Sequence, residues 1–68
     1  MRRISYDNLW KLLIDKKLNK TELADLAQIS GSTVTRMVKE ETVNLESIVK
    51  ICNVLGCNIG DVVELVPE

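Results

Sequence analysis

The amino-acid sequence predicts an all-α fold, with five short helices in one compact domain that spans residues 1–68. Apolar residues recur three and four positions apart in successive segments, and no segment shows the sustained alternation typical of a strand. Residues that cap helices precede these segments, and residues that break helices follow them. With 68 residues, of which 46% are hydrophobic, the chain can bury one modest core.

The first two helices are predicted from their caps. Ser5 is a candidate N-cap with Asp7 in the first turn, and the helical pattern ends at "DKKLN". Asn19 and Glu22 have the spacing of a capping box for the second helix. We expect these residues of the two helices to face the core: Leu9, Trp10, Leu13, Ile14, Leu23, Ala24, Leu26 and Ala27.

The third and fourth helices are separated by the polar connection "KEETVN". Ser30 can cap the third helix and Asn44 the fourth, and Gly56 closes the fourth. The predicted inward residues are Val34, Met37 and Val38 in the third helix and Leu45, Ile48, Val49, Cys52 and Leu55 in the fourth.

The fifth helix is predicted at the C-terminus. Asn58, followed three positions later by Asp61, starts a short helix that runs through Leu65, and Pro67 stops it. This helix carries more apolar surface than a small core can bury, which predicts a homodimer formed through it. The apolar residues concerned are Val62, Val63, Leu65 and Val66.

Charge is distributed unevenly along the chain. Residues 1–39 carry eight basic and four acidic side chains, a net charge of +4, whereas residues 40–68 carry one basic and six acidic, a net charge of −5. The overall net charge is −1. This asymmetry fits a protein with one face for a polyanion, and it also fits an ordinary solvated surface.

The sequence offers little for catalysis or metal binding. It has no histidine, no Gly-rich phosphate loop and no recognisable nucleophile with its base, so we expect no enzyme, metal, cofactor or small-molecule ligand. Cys52 and Cys57 are not a CxxC pair, and we expect two small buried hydrophobic residues. No apolar segment is long enough to span a membrane, and no signal peptide is evident, which predicts a cytoplasmic protein.

The segment "KTELADLAQISGSTVTRMV", residues 20–38, resembles the helix-turn-helix of the phage-repressor (Xre/Cro-type) DNA-binding family. The matching positions are Leu23, Ala24, Ala27, Ile29, Val34 and Met37. Ala24 supplies the small side chain needed where the two helices cross closely. The strings "YDNLWKLLIDKKLNKTELA" and "NLESIVKICNVLGCNIGDVVEL" extend the likeness over nearly the whole chain, and the second is similar to a small single-domain regulator branch. The resemblance implies a lambda-repressor-like fold.

The resemblance also implies roles for particular residues. With the third helix in the major groove, Gly31 allows close approach, and the hydroxyls of Ser32 and Thr33 offer donors and acceptors. Arg36 is the expected guanine reader, with Thr35 beside it as a base or phosphate contact. Two lysines, Lys20 and Lys39, would contact the DNA backbone, and the Lys16–Lys17 pair is a further candidate.

Each role has a structural alternative. Ser32 and Thr33 can complete the cap around Ser30, Arg36 can pair with Glu40, and the other lysines can be ordinary solvated side chains. Gln28 occupies the turn position where the family often has glycine, and a left-handed backbone there costs a non-glycine residue about 1 kcal/mol.

The function implied is a sequence-specific DNA-binding transcriptional regulator, a repressor, that binds double-stranded DNA as a homodimer. The alternative is a protein-interaction module, such as an antitoxin-like or anti-repressor domain, that uses the acidic C-terminal half. Retention on heparin at low salt distinguishes the two, because a DNA binder is retained and an interaction module with pI near 5.4 flows through.

Overall fold

A computed structural model describes residues 1–67 and contains four α-helices, a short 3₁₀ helix and two strands. In chain order these are β1 (Arg2–Ser5), α1 (Asp7–Asp15), α2 (Lys20–Ala27), α3 (Gly31–Val38), α4 (Leu45–Leu55), the 3₁₀ helix (Ile59–Asp61) and β2 (Glu64–Pro67). The fold is therefore mostly helical, but the five-helix, all-α prediction is wrong at both ends of the chain. Within residues 1–67, no helix is long and apolar enough to cross a membrane.

The predicted fifth helix is a single 3₁₀ turn followed by a strand. Its start is as expected, since the backbone N–H of Asn58 donates to Asp61 Oδ2 at 3.1 Å. The chain then straightens, and β2 pairs antiparallel with β1, with Ile4 opposite Leu65 and Arg3 opposite Val66. β-Branched residues in this segment favour the extended form, and β1 supplies the backbone partners that a lone strand would lack.

The helices enclose one core. Its buried hydrophobic residues are Tyr6, Leu9, Leu13, Leu23, Ala27, Met37, Ile48, Ile51, Leu55 and Val62. Val34 is also buried. Six of these residues are completely buried: Tyr6, Leu9, Leu23, Met37, Ile51 and Val62. The predicted helical stripes did not include Tyr6 or Ile51.

Several residues predicted to face the core lie at the surface instead. They are Ile14, Leu26, Val38, Leu45 and Val49, which are 49–74% exposed. Trp10, Cys52 and Cys57 are half-buried and pack against the core from its edge. Each helix is contacted by its neighbours over a narrower arc than the apolar stripe, because the domain is too small to cover the whole stripe.

The predicted N-caps of α2 and α3 are both present. The Asn19 side chain accepts from the backbone N–H of Glu22 at 2.7 Å, and Glu22 Oε1 accepts from the Asn19 N–H at 3.0 Å, a complete capping box. Ser30 Oγ accepts from the Thr33 N–H at 3.2 Å and caps α3. The N-cap of α1 is Tyr6 and not Ser5. Ser5 Oγ nevertheless accepts a hydrogen bond from the Asp7 N–H at 3.3 Å.

All four α-helices end in a left-handed residue. These residues are Lys17, Gln28, Glu40 and Gly56, with φ between 56° and 65°. In each case the next amide bonds back to a carbonyl five residues earlier, as in a Schellman turn; the Ile29 N–H donates to the Ala24 carbonyl at 3.1 Å. Three of the four ends therefore carry the left-handed strain that glycine would avoid.

We expect Gln28→Gly to stabilise the protein by about 0.5–1 kcal/mol, because glycine removes the left-handed backbone strain. Glycine also raises the conformational entropy of the unfolded chain, which offsets only part of this gain. Lys17→Gly, at the equivalent position of α1, should give a gain of similar size. Thermal unfolding followed by circular dichroism measures both. A Gln28→Gly variant that melts below the wild type would contradict the assignment of strain to this turn.

The connection between α3 and α4 is tied to the start of the chain by two side chains. The Tyr6 hydroxyl donates to the Glu41 carbonyl at 2.7 Å, and the Arg3 guanidinium forms an ion pair with Glu40. Burial raises the pKa of Tyr6, so its hydroxyl keeps the proton that it donates. The connection beside α3 is therefore held at two successive residues.

We expect Tyr6→Phe to destabilise the protein by about 1–2 kcal/mol, because the Glu41 carbonyl loses its donor. Arg3→Gln is the matched control at the same connection. Its ion pair is about half exposed, with side chains 45% and 40% accessible, and should contribute less than about 1 kcal/mol. Urea unfolding compares the two variants, and a larger loss for Arg3→Gln would reverse this ranking.

Candidate nucleic-acid interface

One face of α3 is turned entirely to solvent. Four of the candidate residues share this face and are exposed: Ser32, and Thr35, Arg36 and Lys39, which lie three, four and seven positions after it. Val34 and Met37 lie on the opposite side of α3 and are buried. These two anchors fix the rotation of the helix, so the exposed face is presented rigidly. We call these four residues the outer face.

The start of α3 has a network of hydroxyl groups. Ser30 Oγ lies 3.0 Å from Ser32 Oγ and 2.9 Å from Thr33 Oγ1. Thr35 Oγ1 donates to the Gly31 carbonyl at 3.0 Å. The capping alternative therefore holds for Ser32 and Thr33, but each hydroxyl retains an acceptor lone pair, and Ser32 is exposed at the tip of the helix.

Arg36 is available for a ligand. Within residues 1–67 it has no acidic partner within salt-bridge distance, and Glu40, the partner considered from the sequence, pairs with Arg3 instead. The left-handed backbone of Glu40 ends α3 and carries this residue towards β1. The Arg36–Glu40 alternative is therefore wrong, and the outer face carries two basic side chains and no acidic one.

A polar cleft runs along one side of the outer face. From α3 it is lined by Ser32, Thr33 and Arg36, and from the α3–α4 connection and the start of α4 by Thr42, Val43, Asn44 and Ser47. The second group was not recognised from the sequence. Asn44 is the N-cap of α4, but its side chain makes no capping hydrogen bond among the described residues, so its amide and the helix N-terminus are open to a ligand. The polar string "KEETVN" was the signal that could have indicated it.

Lys20, Gly31 and Thr35 line a groove on the other side, between α2 and α3. Lys20 is the first residue of α2, and its Nζ lies 4.8 Å from the centroid of the Trp10 ring, a cation–π contact. Lys39 lines neither the cleft nor the groove and stands alone at the end of the outer face. Lys16 and Lys17 are exposed at the end of α1.

The positions of α2 and α3 are those of a helix-turn-helix. The helices begin at Lys20 and end at Val38, the bounds expected from the sequence, and the turn between them contains Gln28 in the left-handed region. Ala24 is half-buried beside the groove that separates them. Residues 8–68 match the Cro/C1-type HTH DNA-binding domain family. The chain belongs to this family.

A solved structure supports the same assignment. The crystal structure of the transcriptional regulator VanUg, form II, is 43% identical, with a TM-score of 0.93 over 98% of this chain and 89% of that one. The comparison with curated proteins finds no match. As a member of the Cro/C1-type family, the chain has a DNA-binding domain, and its outer face lies on the second helix of the helix-turn-helix. Among the described residues, no group of three potential metal ligands comes together.

Proposed function

We propose that the protein is a sequence-specific transcriptional regulator, a repressor, and that residues 1–68 form a single DNA-binding domain. The observation that carries this proposal is the outer face of α3, which is exposed, basic and backed by the buried anchors Val34 and Met37. A helix of this kind fits the width of the major groove and presents side chains to base edges. Repression follows where a bound operator overlaps a promoter, and such a protein works in the cytoplasm.

The residues of α3 and its C-cap would contact different parts of the DNA. Arg36 bonds a guanine in bidentate fashion, and Ser32, with Gly31 and Thr33 around it, approaches neighbouring bases from the tip of the helix. Thr35 and Lys39 continue the same face towards a base or a phosphate. These residues are assigned by their places on α3 and, for Lys39, at its C-cap.

Lys20 and the cleft residues would hold the DNA backbone on the two sides of α3. Lys20 contacts a phosphate at the start of α2, where the helix dipole favours an anion. On the other side, the Asn44 amide, the Thr42 and Ser47 hydroxyls and the start of α4 suit a second phosphate. These contacts set the register in which Arg36 reads the bases.

Selection of preferred sites from a random DNA pool, followed by titration at several salt concentrations, tests this proposal. We expect an enriched sequence, and a binding constant that falls with salt in proportion to the phosphates contacted. Scrambled DNA of the same length is the control. A pool that returns no enriched site, together with flow-through on heparin at low salt, would favour the protein-interaction module over the regulator.

We also propose that the protein binds DNA as a homodimer. One helix of eight residues provides few base contacts, and a two-fold pair would place two recognition helices about 34 Å apart on an inverted repeat. Within residues 1–67, the C-terminal segment forms no α-helix that could supply the predicted interface. β2 takes its place, since Leu65 is 61% exposed on it and the two-stranded sheet has open edges that a second copy could cover.

Light scattering of the wild type and of Leu65→Lys tests the dimer. We expect the wild type to be dimeric on its selected site, and Leu65→Lys to be monomeric with weaker binding, because a charge at the interface opposes association. Ile14→Lys, on α1, is the control, since Ile14 is 74% exposed and lies outside the sheet. A wild type that stays monomeric on its best DNA site would refute the dimer.

A further inference from the structure

The two cysteines meet at the end of α4. Gly56 is left-handed and ends the helix, and the N–H of Cys57 donates to the Cys52 carbonyl at 3.1 Å. This is the six-to-one bond of a Schellman turn, in which the residues at its two ends bring their side chains together. This backbone hydrogen bond keeps the Cα atoms of Cys52 and Cys57 within about 7 Å of each other, the range that a disulfide spans.

The thiols themselves are close and accessible. The pKa of the Cys57 thiol is raised, first by its burial and then by the neighbouring Cys52 thiol, which lies near enough to interact with it. Both side chains are half-buried, and both are free thiols. Cys57 also lines a surface depression with Lys11, Asp15 and Asp61, which gives a small oxidant a path to the sulfur.

We propose that Cys52 and Cys57 form a reversible intramolecular dithiol–disulfide site, closed by hydrogen peroxide without loss of the fold. One thiolate attacks a peroxide oxygen, which breaks the O–O bond, gives a sulfenic acid and releases hydroxide. The second thiolate attacks the sulfenic sulfur, forms the S–S bond and expels another hydroxide. The two thiol protons convert both hydroxides to water, so the thiols lose two electrons and the peroxide gains them.

The disulfide would close a loop of six residues around the existing turn. Because the six-to-one bond already holds the two ends together, closure requires side-chain rotation and little backbone movement. The bond then restricts the unfolded chain, so the oxidised protein should be the more stable form. A pair that serves only as the apolar contact of a Schellman turn would show neither property.

The test treats the reduced full chain with hydrogen peroxide and measures its intact mass, its free thiols and its thermal unfolding. We expect a monomer lighter by about 2 Da with no free thiol, reversed by dithiothreitol. Its melting temperature should rise by roughly 5–15 °C, and its helical circular dichroism should be retained. Cys57→Ser and Cys52→Ser, treated identically, should show no such rise.

Two outcomes would overturn the site. One is a wild-type product made mainly of oxygen adducts or covalent dimers, which would show that the sulfurs do not reach each other. The other is an internal disulfide formed with loss of the helical signal, which would show that it closes only in an unfolded chain. Both are read on the wild type, so they do not depend on the folding of a serine variant.

Discussion

Arg36→Ala is expected to weaken binding to the selected DNA site by about 1–3 kcal/mol per half-site and to relax base preference at one position. The reason is that Arg36 projects from the outer face of α3 with no acidic partner in residues 1–67, so its guanidinium can bond a guanine directly. Binding to scrambled DNA should change less. Titrations of both DNAs at several salt concentrations measure these effects.

Lys20→Ala is the matched comparison, because Lys20 borders the same interface but is assigned to a phosphate. It should weaken all sequences by similar amounts and reduce the salt slope by about one per subunit. Arg36 is exposed, so Arg36→Ala should keep the wild-type melting temperature closely. Lys20→Ala also loses the contact with Trp10, which contributes about 0.5–1 kcal/mol at an exposed site, so its melting temperature should fall by a few degrees. If Arg36→Ala binds the selected site as tightly and selectively as the wild type, α3 does not read the groove.

Ile51→Ala is expected to destabilise the protein by about 2–5 kcal/mol, because Ile51 is completely buried and its loss leaves a cavity in the core. A chain of 68 residues has a stability on the order of 5 kcal/mol, so this variant should be partly or wholly unfolded at room temperature. Urea unfolding and the circular dichroism of the purified variant measure the effect.

Val49→Ala, two residues away on α4, is the control. Val49 is 49% exposed, so its truncation should cost less than about 1 kcal/mol. The pair tests which face of α4 enters the core, since the apolar stripe read from the sequence contains Val49 and omits Ile51. Equal losses from the two variants would contradict the packing of α4.

Local interactions made much of this protein predictable from its sequence. The capping box of Asn19 and Glu22 and the Ser30 cap join residues three positions apart, so the bounds of α2 and α3 were confirmed. The same short spacing places Val34 and Met37 inside and Arg36 outside. Family membership rests on this segment and its flanks, and it was confirmed as well. A helix and its caps are specified by neighbours in the chain, which is why a pattern of residues predicts them.

Only the tertiary structure shows which residues far apart in sequence pair or pack together. β1 and β2 are four residues each and lie at opposite ends of the chain, so neither has a detectable pattern, and Leu65 is in a strand only because Ile4 pairs with it. Glu40 forms its ion pair with Arg3 and not with Arg36. The polar cleft lies where the α3–α4 connection passes α3. Whether Ile51 or Val49 is inside depends on where α2 lies against α4. These outcomes depend on contacts between segments far apart in sequence. The spacing of apolar residues within one segment carries no information about such contacts.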